Sequence, residues 1–342
     1  MKQLTFGLRQ SPYNFLRIHK EIRNGPVLQC DPIDADPGSS RLAGRGPPLS
    51  LSPARLGAAG RDSARHPPDA SADLVFHGGK TVPQMEFQNV FLGGQASWLA
   101  SDIDSINTAI TLAMQDRKLN NVVKQYFDSG VNLTCDARPL LVLEEAKPVQ
   151  LDEPDVQQLV ARLLQQGKVS DSDLGTTIFN LVLPPGTVLK LDQDNSLGGL
   201  GGYHGSVHFQ HNGRSQTAYY SANVFSQTLP DGQVNGIPAF DASWKDVVGT
   251  LYHEINEFRT DADVRDAIAT GNDDGVLGWM GAQGEIGDQP IAIAGQLGHL
   301  QRVFQEVLSS TGSRRVPVQF LYSNAVHGAE GPIDEPDPPA QR

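Results

Sequence analysis

Residues 250–261 read TLYHEINEFRTD, and within them His253, Glu254 and Glu257 spell H-E-x-x-E. On an α-helix, residues four apart lie on one face about a turn apart, so His253 and Glu257 can point at one ion. Glu254 lies about 100° round the helix from His253, where it can reach a water on that ion. The zinc-peptidase helix, H-E-x-x-H, works this way: two ligands come from one helix and the glutamate acts as general base. A glutamate in place of the second histidine keeps a ligand and adds negative charge. That favours harder cations, while zinc still accepts carboxylate oxygen. The competing reading is a surface helix with a Glu and a His on its wet face. Val247, Val248, Leu251, Tyr252, Ile255 and Phe258 weigh against it, because they cover much of the circumference and call for burial. Buried carboxylates beside a histidine need a partner, and a cation supplies one.

A catalytic zinc site needs a third protein ligand and one open position. Asp261 lies two turns beyond His253 on the same face if the helix continues. Asp263 follows at the spacing of the third ligand in H-E-x-x-H-x-x-G-x-x-H sites, but Thr260-Asp261-Ala262 lacks the glycine that turns the chain. GEIGD (284–288) offers Glu285 and Asp288 on a glycine-flanked loop or helix start. His204, in GGYHGS, could complete a His/His/Glu set from a strand, or be an ordinary strand histidine. Asp273-Asp274-Gly275 reads as a turn. His208, His211 and His299 give no spacing argument.

The elements that must position these residues are mixed helices and strands. MEFQNVFL (85–92) alternates and reads as a strand. From Ser101, Ile103, Ile106, Ile110 and Met114 recur at helical spacing, and Leu119, Val122, Val123 and Tyr126 continue in a second short helix. PLLVLEE (139–145) is a strand candidate. Asp152 caps a helix with Pro154 in its first turn and Val156, Leu159, Val160, Leu163 and Leu164 as its buried stripe, ended by Gly167. TTIFNLVLPPG (176–186) is a buried strand stopped by prolines. YHGSVHFQ (203–210) and QTAYYSANVF (216–225) suit one antiparallel sheet. Asp241 or Ser243 starts the H-E-x-x-E helix, and Ser243 with Asp246 resembles a capping box. A Gly-, Asn- and Asp-rich loop (270–289), a helix over roughly 291–309 and a strand at 316–323 follow.

The chain has 342 residues, 39% hydrophobic and 19% charged, with 35 Gly and 23 Pro. Residues 1–72 read as disordered or poorly structured, because 31–72 is rich in Pro, Gly, Ser, Ala and Arg without a sustained apolar period. The tail 328–342 has the same character and reads as flexible. The folded body is one domain over 73–327. A net charge of -12 argues against a nucleic-acid partner. No apolar run approaches the ~18 residues of a membrane span, and the first twenty residues make a poor signal peptide. Two cysteines, Cys30 and Cys135, form no disulfide framework and exclude thiolate-held zinc on numbers alone.

Several stretches in order resemble a family of secreted bacterial and plant proteins that includes the plant EXORDIUM (phosphate-induced) group. They are HGGKTVPQMEFQNVFLGG (77–94), GGYHG (201–205), YHEINEFRTD (252–261), GW (278–279), GEIGD (284–288) and VQFLYSN (318–324). The resemblance implies that His204, His253, Glu254, Glu257, Thr260, Asp261, Trp279, Glu285 and Asp288 belong to one site. It also implies secretion, and its bacterial members are called metallopeptidase-like on the motif. The chain departs from the family at Gly202 and after Asp288, where Gln289-Pro290 follows. Family cysteines are missing at both places, so a family disulfide is expected to be absent. Ala262 replaces a proline and Gly284 a glutamate.

The expectation is therefore an α+β (mixed α/β), zincin-like domain with a central, mainly antiparallel sheet and an H-E-x-x-E active-site helix. In the first reading it is a zinc hydrolase, peptidase-like, acting on a peptide or protein. His253 and Glu257 bind the metal, with Asp288 as the preferred third ligand and His204 or Asp261 behind it. Glu254 activates the metal-bound water, and Tyr203, Tyr252 or His204 stabilises the oxyanion. In the second it is a non-catalytic, EXORDIUM-like extracellular protein. A structural metal or polar network then occupies the same place, for example a closed set of His204, His253, Glu257 and Asp288. In the third it is a buried acidic helix without metal, its carboxylates paired to Arg259 or Arg265.

Overall fold

The computed structural model describes residues 68–296, 300–312 and 314–342. The segment 1–72 therefore lies, up to residue 67 and including Cys30, outside the described residues. At its end the Asp69 side chain caps a short turn, Ala70–Ala72, and Ala72 is buried.

The body is mixed α+β. In chain order its main elements are β1 (Gln84–Phe91), α1 (Ala100–Met114), α2 (Arg117–Val123), β2 (Thr134–Ala137), β3 (Leu141–Val142) and α3 (Glu153–Gln165). They continue with β4 (Thr177–Val182), β5 (Gly202–His211), β6 (Arg214–Asn223), α4 (Ser243–Thr260), α5 (Val264–Thr270) and α6 (Asp288–Gln296). Four strands close the domain: β7 (Phe304–Leu308), β8 (Arg315–Gln319), β9 (Leu321–Ser323) and β10 (Gly328–Glu330).

The central sheet runs β2-β1-β4-β6-β5, with β3 also on β1. The hairpin of β5 and β6 is antiparallel, as expected, with His204 opposite Ser221. The rest of this sheet corrects the expectation, because β1 pairs in parallel with β2, β3 and β4, and β6 pairs in parallel with β4. The reason lies in the connections. α1 and α3 sit between successive strands, and crossovers of that length bring strands back in parallel. β4 is buried along all of its length, which is the mark of a strand covered on both faces. The smaller β7–β8 and β9–β10 pairs are antiparallel.

Side chains alternate across the sheet and build a core on each face. On one face Phe87, Phe91, Ile178 and Val182 pack with Ile103, Ile106 and Ile110 of α1 and Val247, Leu251, Ile255 and Phe258 of α4. On the other, Val90, Phe179, Leu181 and Tyr220 pack with Val156, Leu159, Val160 and Leu163 of α3. The α3 start is as expected: Asp152 and Asp155 form a reciprocal capping box, with Pro154 in the first turn. The α4 start is not. Ser243 makes no cap. Asp246 instead turns back, and its Oδ1 accepts the N–H groups of Ala239 (2.7 Å) and Phe240 (2.8 Å). Burial pushes the Asp246 carboxyl up to about 7, against the pull of those two amides.

Two other expectations are corrected. The helix forecast for 291–309 ends at Gln296, and Phe304–Leu308 is a strand. The three-residue step from Phe304 to Val307 fits a helix face, but the neighbouring chain at 315–319 offers a full ladder, and both residues are buried. The tail 328–342 is also packed rather than loose. β10 pairs with β9, Ile333 is buried, and the amides of Ile333 and Ala340 donate to the Lys118 and Gln125 carbonyls. Its prolines and acidic residues read as a loose end. An extended segment with few apolar residues can nonetheless be held by single backbone hydrogen bonds. Deleting residues 328–342 removes that cover and the burial of Ile333, so the unfolding free energy from urea titration is expected to drop by roughly 2 kcal/mol or more.

Candidate metal centre

α4 lies between α1, β8 and the β5–β6 hairpin, and every residue from Asp246 to Thr260 is buried. Its apolar side belongs to the core. His253, Glu254 and Glu257 occupy the remaining side, at 7%, 3% and 3% exposure. An exposed amphipathic helix is therefore excluded. The loop before α6 closes over these residues, and its glycines permit the approach. A Cβ on Gly287 would stand 2.5 Å from His253 Nδ1. Gly284 has φ near +124° and leaves no room for a side chain beside Asp288.

His253 is oriented from behind. The Gln319 Nε2 donates to the Gly287 carbonyl (2.6 Å), so the Gln319 Oε1 is left to accept. It accepts from His253 Nδ1 at 2.9 Å, which puts the ring proton on Nδ1 and the lone pair on Nε2. That Nε2 lies 3.0 Å from Glu257 Oε1, 3.6 Å from Asp288 Oδ1 and 3.9 Å from Glu254 Oε1. The Gly287 amide also donates to Glu257 Oε1 (3.2 Å). Metal-binding histidines are commonly held in this way, with the other ring N–H given to an acceptor.

His204 is oriented by the same logic from the opposite side. β5 alternation turns it toward α4, where its Nε2 donates to the Asp261 carbonyl (3.0 Å). A carbonyl only accepts, so the lone pair is on Nδ1. This atom lies 3.6 Å from Glu254 Oε2 and 3.6 Å from Glu257 Oε2. Two triads result, His253/Glu257/Asp288 and His204/Glu254/Glu257, each with its donor atoms within 4.8 Å of one another. The first opens on a cleft of about 70 Å³, lined by His253, Glu254, Asp288, Thr250, Gln283 and Phe304 among others. The second lies behind it.

Electrostatics at the site follow from crowding negative charge in a dry place. Burial alone would push the His253 imidazolium down, but Glu257, Glu254 and Asp288 outweigh it and raise it to about 10. For His204, Glu285, Glu254 and Glu257 likewise overcome burial, and its proton is held far above the usual range. Burial and neighbouring carboxylates drive Glu285 and Asp288 up. Burial raises Glu254 as well. Glu257 alone is pulled low, to about 2: burial opposes this, but the two histidines flank it. Besides the two histidines, no cationic side chain among the described residues pairs with the crowd. Among the described residues, Arg259 donates to Asn120 Oδ1 and the Thr134 carbonyl, and Arg265 pairs with Glu153 and Asp192. The arginine pairing that would support the third reading is therefore not seen among the described residues.

The structure thus gathers His204, His253, Glu254, Glu257, Glu285 and Asp288. Other expected residues lie elsewhere. Tyr203 alternates to the α3 side of β5, edge-on to Tyr220 with ring centroids 6.1 Å apart, so it cannot reach a carbonyl at His253. Tyr252 is in the α1 core. Asp261 gives His204 its backbone oxygen, and its carboxylate is outside both triads. Asp263 accepts from Tyr219. Trp279 is structural, packed between Phe76 and Tyr126. Thr260 bonds its own helix. Gln319 was missed. Its only signal was an amide in an otherwise apolar strand.

In the metal-free protein these shifts fix the sign of the pH dependence. A basic group raised in the fold stabilises fully below its unfolded value of 6.5, and the gain is lost as pH rises through about 10 for His253. The raised acids act in the same sense. Thermal melting in chelator should therefore show falling stability from about pH 6.5 toward 10, with a shallower slope when stoichiometric zinc is present; equal slopes would contradict the site. G287A should displace the His253 ring and weaken zinc binding about tenfold or more in a competition titration. Compared with protein-family models, with curated proteins and with solved structures, the chain matches none.

Proposed function

We propose that this chain is a metal-dependent hydrolase of peptidase type, built on a zincin-like helix, with zinc held by His253, Glu257 and Asp288. One observation carries the reading. The His253 lone pair, fixed by Gln319, faces three carboxylates at 3.0–3.9 Å with no Lys or Arg among them. These groups repel one another unless a cation stands between them, either the proton that His253 holds in the metal-free protein or a metal ion that displaces it. One imidazole with two carboxylates is a donor set that zinc accepts, and the cleft leaves a side of it open.

When bound, zinc supplies Lewis acidity, polarising a substrate carbonyl and lowering the pKa of water. The chain's own groups do the rest. Glu254 lines the cleft, and its raised pKa suits a carboxylate that takes a proton from water and returns it to the leaving amine. Thr250, one turn earlier on α4, and Gln283 line the same cleft, and they take over the carbonyl-orienting role that Tyr203 cannot fill. Gln319 and Gly287 hold His253 in place. The open side favours a catalytic centre over a closed structural one. We also propose kinship with the EXORDIUM-like group. In its support, GGYHG, YHEINEFRTD, GEIGD and VQFLYSN contribute His204, His253, Glu254, Glu257, Asp288 and Gln319 to one place.

The test is digestion of casein or a peptide library by zinc-loaded protein, with and without chelator, alongside elemental analysis. E254Q is expected to keep zinc and lose turnover by about 10²-fold or more, whereas E257A should lose the metal. A wild-type protein that takes up no metal on zinc reconstitution would sink the proposal.

A further inference from the structure

Glu257 does not point at one partner. Its Oε1 faces His253 Nε2 at 3.0 Å and its Oε2 faces His204 Nδ1 at 3.6 Å. Glu254 is split in the same way, with Oε1 3.9 Å from His253 Nε2 and Oε2 3.6 Å from His204 Nδ1. Two carboxylates from one helix therefore span two histidines that come from separate elements, α4 and β5. Asp288 flanks the outer histidine and Glu285 the inner one, with Glu285 Oε1 3.7 Å from His204 Nε2. Glu285 is 2% exposed, and this oxygen has no hydrogen-bond partner. Asp261, fully buried beside the inner histidine, has neither carboxylate oxygen hydrogen-bonded, although the Gly278 amide lies close enough to lower its pKa.

Charge makes the same case. Glu254, Glu257, Glu285 and Asp288 bring four carboxylates together, and no ion pair of a Lys or Arg among the described residues reaches them. With all four ionised, as metal ligands are, one divalent cation leaves half of that charge uncompensated, and the 24% exposure of the Asp288 side chain relieves that only in part. Two divalent cations balance it. Carboxylates that bridge two ions hold them about 3.5–4 Å apart.

We propose that this protein binds two divalent cations in a carboxylate-bridged pair, the second held by His204, Glu254 and Glu257 behind the first. The inference rests on the metal reading of the same helix and extends it. The outer ion, at His253 and Asp288, faces the cleft. The inner ion is sealed from it and fixes both shared carboxylates. Glu254 gives its Oε2 to the inner ion and keeps Oε1 at the cleft for proton transfer.

Full-length protein is stripped with chelator, reconstituted with zinc, desalted and measured by inductively coupled plasma mass spectrometry. The expected result is two equivalents per chain, falling to one in H204Q and, separately, to one in H253Q. One equivalent in wild type overturns the bridged pair and leaves the single-metal hydrolase standing. No metal overturns both. Two equivalents retained in H204Q would place the second ion elsewhere and overturn this assignment. Should H204Q fail to fold, wild type loaded with Mn²⁺ decides the matter by electron paramagnetic resonance. A bridged pair gives an exchange-coupled spectrum with the isolated six-line signal lost, and retention of that signal at full loading overturns the proposal.

Discussion

The constraint on which the rest depends is negative charge buried with two histidines, and no Lys or Arg among the described residues, to meet it. Water stabilises a carboxylate far better than protein does, so a cluster of them survives inside a fold only when something cationic is near. Here the arginines that could serve are engaged elsewhere. Arg259 is fully buried against Asn120 and the β2 backbone, and Arg265 is clamped by Glu153. The two histidines are the nearest cations, and they are cationic only while they hold protons. In the proposed metal centre, protons and metal compete for the same lone pairs. Metal affinity must rise as those protons are surrendered.

That competition is set up by backbone as much as by side chains. The Asp261 carbonyl is free to accept from His204 because α4 ends there, at a C-terminus whose carbonyls lack helical partners. Gly278 packs so close to the Thr260 carbonyl that a Cβ would stand 2.1 Å away, which lets the returning chain seal that end. Gly202 leaves room where a Cβ would stand 2.7 Å from Thr250 Cγ2 and 3.0 Å from Glu254 Oε1. A cysteine, which the resembling family has at this place, would crowd the same carboxylate. The glycines of GGYHG and GEIGD are therefore part of the geometry of the His–carboxylate cluster: they bring a strand and a loop within reach of one helix.

Much of this was legible in the sequence, for stateable reasons. The helix and its burial followed from Val247, Leu251, Ile255 and Phe258 at helical spacing. The β5–β6 hairpin followed from alternation, and the α3 cap from Asp152 and Pro154. Asp288 stands out as a ligand candidate on a glycine-flanked stretch, and His204 as a strand residue able to complete a His/His/Glu set. The direction of the central strands was not read correctly. TIFNLV is mostly apolar, with only Thr177 and Asn180 polar, near the pattern of a strand buried on both faces, and the helical stretches at 101–126 and 152–167 before it already implied crossovers. Tyr203 was placed by proximity to His204 in sequence, yet adjacent strand residues face opposite ways. Pairing partners such as the 315–319 strand, and the anchoring of the tail, depend on long-range backbone contacts that no local window contains.

The residue that makes the motif odd, Glu257, is also the one that gives the site its form. An imidazole at position 257 would present one lone pair and could serve one ion. A carboxylate presents two oxygens about 2.2 Å apart (a consequence of C–O bonds of roughly carbonyl length), and here they face different histidines. In the proposed two-ion centre, glutamate where H-E-x-x-H has its second histidine would change the geometry from a single focus to a bridge. It also explains why His204 must come from the sheet. A ligand for the far oxygen cannot lie on α4 itself, since one helix face is already spent on His253 and Glu257. The edge strand β5, packed against that helix with Gly202 and His204 facing it, is where the fold can supply it.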